Sequence, residues 1–531
     1  MALIQVPFVG AAYEAKSLNL SAQRCINLYP VANETGGAKV RALYPTPGLK
    51  RWRSFDTSSP VRGIFPTQYA LIAIVGATIY LIRSDKSAVQ IGIMNTVDAR
   101  IVFATNGNQV LFVDGVDGYL YEKEATTSHE GDGTETHFTI RGLDTRTAPS
   151  IAVTINGVPD AGFTVSGDEI VFSVAPANND LIVATVNDAL TIPTLPATPT
   201  HVDCIAGYFV VNNSGTGQFY LSGLRDGSDW DVLDFANAEA SPDDVLALVT
   251  GYQELWLIGS KTTEVWSHTG DATFPFRRMS GAVIDYGIGA PYSLVQAGNT
   301  LFWLTDKLRV VCVNGYQPQR ISTLAIESTL SEYNRTDDAF AYSYSEAGHT
   351  FYVLTFPAAG KTWCFDITTN LWHERAYWRQ DVAKFSRHRS NCYGNAFGKH
   401  LVGDYQGGVI FEMDKDTFTD DEDLIRRVRS TDHAQIQMQR VTIDSLHVDM
   451  EVGSAIQLDG YGSEPQAMLR YSKDGGHTWS GENWATIGRV GNYGHRVIWR
   501  RLGQSRQRVF EITITDPIWF TIMDAVAEVS E

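Results

Sequence analysis

The 531-residue sequence predicts an all-β protein: a multi-bladed β-propeller with an inserted small β module and a C-terminal β domain. Three observations lead there. Helical periodicity is nearly absent. Short apolar strands rich in Val, Ile, Tyr, Phe and Trp alternate with Gly, Asn and Asp turns. The strand groups recur at a spacing of roughly 40 to 50 residues, the period of a four-stranded propeller blade.

Taken in order, residues 1–60 are expected to form an N-terminal arm leading into the propeller. Residues 61–124 hold the first blades, in groups near 61–92 and 98–124. Residues 191–429 hold the remaining ones, near 200–235, 245–280, 290–322, 338–376 and 385–415. Several groups share an apolar strand that meets a turn and then an aromatic strand, as in Gln109-Val-Leu-Phe-Val-Asp-Gly-Val-Asp-Gly-Tyr-Leu-Tyr121 and Thr300-Leu-Phe-Trp-Leu-Thr-Asp306. This rhythm allows roughly six to eight blades. One helix is predicted near 323–333, carrying Leu324, Ile326 and Leu330 between two blades.

Residues 125–190 break the pattern. They hold no Trp or Tyr, and nine acids (Glu130, Asp132, Glu135, Asp144, Asp160, Asp168, Glu169, Asp180, Asp188) stand against Arg141 and Arg146, a net charge of −7. The stretch reads as an inserted acidic β module, with strands around His137–Ile140, Ile151–Ile155, Phe163–Val165 and Ile170–Val174. A proline-spaced return, Ile192-Pro-Thr-Leu-Pro-Ala-Thr-Pro199, is expected to hold it at a set distance. After the charged crossing at 419–429 the strands lengthen, and residues 430–531 read as a separate C-terminal β domain.

Charge and cysteines narrow the function classes. Asp+Glu 60 against Lys+Arg 42 gives a net charge of −18, which argues against sequestering nucleic acid on a basic surface but allows DNA to pass an acidic wall. The five cysteines (Cys25, Cys204, Cys312, Cys364, Cys392) include no C-x-x-C pair and read as reduced thiols. The N-terminus lacks the basic and apolar regions of a secretory signal. The longest apolar run, 69–82, falls short of the ~20 residues of a membrane span, so no membrane insertion is expected.

Catalytic signatures are sparse, and no catalytic, cofactor or metal residues are assigned. Gly360-Lys361-Thr362 resembles the end of a phosphate loop, but Thr355 stands where that loop needs Gly, and a hairpin turn fits better. Asp226, Asp229, Asp231 and Asp234 lack the spacing of a calcium loop. His373 and Glu374 are adjacent and face opposite sides of a strand, so they cannot share a metal.

The sharpest motif is the Asp-box Ser472-Lys-Asp474-Gly-Gly476-His-Thr478-Trp479, which fits S-x-D-x-G-x-T-W at every defined position. In sialidases this box is a folding element: the Asp caps a turn, the Gly takes an unusual backbone angle and the Trp plugs a sheet. Six arginines and no acid lie between 489 and 508: Arg489, Arg496, Arg500, Arg501, Arg506 and Arg508. Two uses are open, a subunit or domain interface or contact with DNA phosphates, and the apolar Val497, Ile498 and Trp499 among them favour the interface.

Several stretches resemble one family. They are Ser21-Ala-Gln-Arg-Cys-Ile-Asn-Leu-Tyr-Pro30, Pro45-Thr-Pro-Gly-Leu49, 226–240, Arg320-Ile-Ser-Thr-Leu-Ala-Ile-Glu327, 349–357, 362–375 and 499–510. Together they are similar to the packaged-DNA stabilisation proteins of short-tailed phages, which form the nozzle of the tail machine. The inserted module departs from that pattern. Its segments at 133–138, 155–159 and 170–176 resemble small β modules of phage tail fibres and spikes.

The resemblance implies a virion protein of the tail, assembled in the host cytoplasm and without catalysis or cofactor. It implies a homo-oligomeric ring, a hexamer, below the portal and its adaptor. The ring would close the channel with the tail needle or plug, meet tail fibres or spikes, and guide double-stranded DNA during ejection. Two other classes remain open: a glycan-binding or sialidase-like propeller, and a tail hub or stopper of a long-tailed phage.

Overall fold

The computed structural model describes residues 2–32, 41–142, 150–239, 241–435, 439–453 and 462–530. Asp144, Arg146 and Ala240, used in the sequence reading, lie outside them. Nearly every element is a strand, and the helix Leu324–Ser331 lies at the predicted place, with the Thr323 hydroxyl accepting the Ile326 N–H.

Among the described residues, seven four-stranded antiparallel units follow one another. Blade one runs from Val61–Pro66 to Ala88–Ile93, and blade two begins at Val102–Thr105. Blades three, four and five span 202–237, 245–284 and 295–320, and blade six spans 340–374. In blade seven, three strands over 390–414 are completed by Gly48–Ser54, which pairs antiparallel with Val409–Asp414. The innermost strand of blade seven packs on that of blade one, so the ring is closed. An early strand thus clasps the last blade, and closure leaves every blade face covered by a neighbour, with only short strand edges remaining.

Local chemistry explains the repeat. In blades three, four, six and seven, the first two strands are joined by two residues that both have positive φ: Ala206-Gly207, Tyr252-Gln253, Ala347-Gly348 and Phe397-Gly398. Such turns match the right-handed twist of a hairpin. Three of the four place Gly second; blade four uses Gln253 at φ 63°. Between blades, aromatic and β-branched faces interdigitate, as where Phe103 stacks on Phe65 with ring centroids 5.2 Å apart.

The C-terminal part is a β-sandwich that does not stand apart. One sheet runs, in order, Val497–Ser505, Val441–Met450, Ile522–Ser530, Arg41–Pro45, Leu28–Ala32, with Ala2–Gln5 also pairing Ile522–Ser530. The facing sheet holds Arg427–Ser430, Gln507–Ile514, Gln466–Ser472 and Asn483–Thr486, and Cys25–Ile26 joins it to the outer strand of blade six. A single core joins Phe302, Tyr352 and Trp372 of blades five and six to Leu43, Trp499, Phe510 and Phe520.

Residues 1–60, expected as an arm leading into the propeller, enter it through Gly48–Ser54, and their other strands complete the sandwich. Two expectations about the module are corrected. The strand Leu181–Thr191 continues from the module into blade two, where Tyr121 faces Leu190, so residues 181–190 serve both units. The proline segment therefore does not tether the module: it joins blade two to blade three, with Leu195 packed between them. What carries the module is the ribbon formed by Gly118–Glu130 and Leu181–Thr191.

Candidate functional site

The Asp-box lies in the turn between Gln466–Ser472 and Asn483–Thr486. The Ser472 hydroxyl donates to Asp474 Oδ1 at 2.7 Å and accepts the Gly476 N–H at 2.8 Å. Asp474 in turn accepts the Thr478 N–H at 2.9 Å and its hydroxyl at 2.6 Å. Those donors, led by the Ser472 and Thr478 hydroxyls, hold the Asp474 carboxyl well below the usual carboxylate range. Gly476 sits at φ 103°, a conformation that side chains oppose. Trp479 departs from the sialidase pattern: it is half-exposed and lies under the Arg470 guanidinium, 5.0 Å from its ring centre, instead of plugging a sheet. The box also faces the N-terminal segment, since a Cβ on Gly475 would collide with Asn19.

The six arginines do not form one cluster of equals. Arg508 is fully buried: its guanidinium donates to Ser505 Oγ, to the Leu502 carbonyl at 2.8 Å and to the Gly503 carbonyl, and lies 4.3 Å from the Tyr471 ring centre. Interface or DNA contact is therefore excluded for Arg508, whose donors satisfy the carbonyls of a bulged turn. Arg489 is exposed and pairs with Glu464 of the same domain. Arg496, Arg500, Arg501 and Arg506 are exposed and form no ion pair among the described residues. Arg500 and Arg501 lie on Val497–Ser505, the outermost strand of its sheet, and Arg501 has φ 60° where the register shifts. Charges and a bulge on an edge strand also keep stray strands from adding to the sheet.

The module has its own small core, with Phe138, Ile170, Phe172, Ile182 and Val186 buried together. Besides the ribbon, Arg141 holds it to the propeller through Glu122 at 3.0 Å and Asp226 of blade three at 3.3 Å. Asp226 is thereby a docking residue, not part of a calcium loop. Among the described residues no group of three or more His, Cys, Asp or Glu side chains is arranged to hold a metal ion.

A cavity of about 340 Å³ lies on the propeller axis, lined by the first strands of six blades, with Tyr292 and Leu294 standing in for the first strand of blade five. It is far too small for duplex DNA, so any DNA conduit belongs to an assembly of subunits, not to one propeller. Three arginines near its mouth, Arg62, Arg100 and Arg387, escaped sequence reading because they are far apart in the chain.

Burial holds His201, His373 and His388 below the usual imidazole range. Burial, with Arg375 and His349 nearby, pushes His373 down to about 3. Its neighbour Glu374 turns to the other side and pairs with Lys361 at 2.6 Å. His349 meets Asp366 at 2.7 Å, but Asp366 also caps the following turn through Thr368 N–H and the Thr369 hydroxyl. Gly360 occupies a hairpin turn at φ 64°. No described helix is long and apolar enough to cross a membrane, and the five cysteines form no disulfide.

Comparisons with known proteins place this architecture. Among solved structures, BamB from Moraxella catarrhalis is 7% identical, with 78% of this chain and 98% of that one covered and a TM-score of 0.33. The protein KlHsv2 with loop 6CD replaced by a Gly-Ser linker is 13% identical, covering 62% and 96%, with a TM-score of 0.26. No curated protein sequence matches significantly. Two family models match nearly the whole length: the β-propeller of bacteriophage P22 Gp10 over residues 4–418 and its β-sandwich over residues 426–530. With both domains matched in order, the chain belongs to the bacteriophage P22 Gp10 family of phage tail structural proteins.

Proposed function

We propose that this protein is a tail nozzle subunit. Copies assemble as a ring, a hexamer, below the portal and its adaptor; the ring retains packaged DNA, meets the needle or plug and the fibres or spikes, and guides ejection without catalysis. Family membership over both domains carries this reading.

The physical properties of the subunit support it. The propeller is locked by an N-terminal strand, and the sandwich shares its core, so load on one passes to the other. The molecule is acidic, with a net charge of −18, yet presents along one edge of the sandwich four exposed arginines that make no ion pair among the described residues. On such a surface the complementary partner is an acidic face of the next subunit. The test is mass photometry of the purified chain mixed with its adaptor, comparing wild type with R496E/R500E/R501E/R506E. Ring-sized complexes for the wild type and monomers for the variant support the proposal; rings from both place the arginines elsewhere than the subunit seam.

DNA contact is the second reading, favoured by the same unpaired arginines. It predicts that the variant still forms rings but loses salt-sensitive duplex binding.

A further inference from the structure

We propose that the pocket at the mouth of the propeller axis is a binding site for a compact oxyanion of the phosphate class, held between Arg100 and Arg387. The pocket has a volume of about 200 Å³ and is lined by Pro60, Arg62, Asp98, Arg100, Arg387 and Tyr405 among others. That suits a small ion and excludes a nucleic-acid strand.

Its three arginines differ in what they have left to offer. Arg62 is largely spent: its guanidinium gives four of its five hydrogens to the carbonyls of Ala99, Gly76 and Thr96 and to the Thr96 hydroxyl. Arg100 gives one hydrogen from each amino nitrogen to Asn391, at 2.8 and 3.1 Å, and each of those nitrogens carries a second hydrogen. Arg387 is the anomaly. Its Nη1 is shut off from solvent and has no acceptor.

The two free cations lie close together over aromatic faces. The Arg100 guanidinium carbon is 3.4 Å from the Phe340 ring centre, and that of Arg387 is 5.8 Å from the same ring and 3.8 Å from that of Tyr405. Neither makes an ion pair among the described residues, although burial and the neighbouring Arg387 push Arg100 down to about 10. Asp338 acts on both arginines from beyond ion-pair distance; it accepts the Ala358 N–H on Oδ2 at 2.7 Å, and its buried Oδ1 has no hydrogen-bond partner. Asp404, the other carboxylate acting on Arg387, is committed to Arg389. Two adjacent, partly desolvated guanidinium groups with no carboxylate in ion-pair contact are costly, and an oxyanion bound beside the remaining Arg100 hydrogens would supply a closer charge.

The test is thermal unfolding and calorimetry of the full chain, with sodium phosphate titrated against chloride at fixed ionic strength and acetate in a parallel arm. Saturable binding with a rise in Tm of about 1–3 °C is expected. Acetate matching phosphate makes the site general for carboxylates; phosphate alone acting makes it tetrahedral. R387Q should abolish the response while leaving the anion-free Tm equal or higher, because it removes an uncompensated buried charge. D338N, which removes an opposing carboxylate, should tighten binding several-fold. The proposal is overturned by no saturable response, or by one that R387Q leaves intact.

Discussion

The inserted module and the C-terminal sandwich both interrupt the blade rhythm, yet they are joined to the propeller in opposite ways. The module hangs on two strands and one arginine: among the described residues outside the ribbon, Arg141 reaches from it to Glu122, Asp226 and Ser228. The sandwich is welded on. Its sheets take in strands from residues 2–45, its core is continuous with blades five and six, and buried arginines bind the crossing segments. Arg429 alone donates to the carbonyls of Phe8, Ala11 and Arg24 and to the Gln23 side chain. A tether leaves a unit replaceable, whereas a weld makes two domains one mechanical body.

The comparison is broken most directly by deletion. Removing 131–180 and closing the ribbon with a short turn should leave a folded chain whose Tm is essentially that of the full length. Removing 125–190 takes the fourth strand of blade two with it, and this chain should lose its cooperative transition. Equal outcomes would mean the module is not a tethered unit.

Next in size is the weld. Arg429→Ala strands three carbonyls in a buried site and should cost about 3–5 kcal/mol in denaturant unfolding, with new protease cleavage within residues 8–24. Arg141→Ala, its counterpart on the tether, should cost less, about 1–3 kcal/mol, because Asp226 is partly exposed and the buried Glu122 keeps the Gln109 amide as a donor.

Blade four belongs to neither junction and provides a baseline. Gln253→Gly, which restores the residue its sibling turns use, should stabilise by about 0.5 kcal/mol, a rise in Tm measurable by calorimetry.

The smallest effect is at the Asp-box. Its depressed carboxyl contributes stability that is complete above the ordinary carboxylate range and is lost as pH falls through the lower folded value. Asp474→Ala should therefore lower Tm at pH 7, with the gap narrowing as the pH drops below about 4. A pH-independent gap would mean that the carboxylate is not what holds the turn.

Much of the fold was legible in the sequence. The 40-to-50-residue rhythm gave the propeller, and the four strands read within 125–190 lie within a residue or two of observed ones, whereas Val158–Asp160 and the two ribbon strands were not read. What escaped was long-range pairing. Nothing local in Gly48–Ser54 announces that it completes a blade some 360 residues away, and nothing in Arg41–Pro45 announces a place in the C-terminal sandwich. Arg508 was misjudged for a related reason: six arginines in a row look alike until the bulged turn of Leu502 and Gly503 turns one inward. The axial arginines are invisible for the same cause, since Arg100 and Arg387 meet only when the ring closes.

Whether this chain builds a ring on the portal adaptor is read out by cryo-electron microscopy of the purified protein with and without portal and adaptor. A six-fold ring seated on the adaptor is expected, with Arg496, Arg500, Arg501 and Arg506 at the seam between subunits and the acidic modules facing outward. A chain that stays monomeric and ignores the adaptor would contradict it.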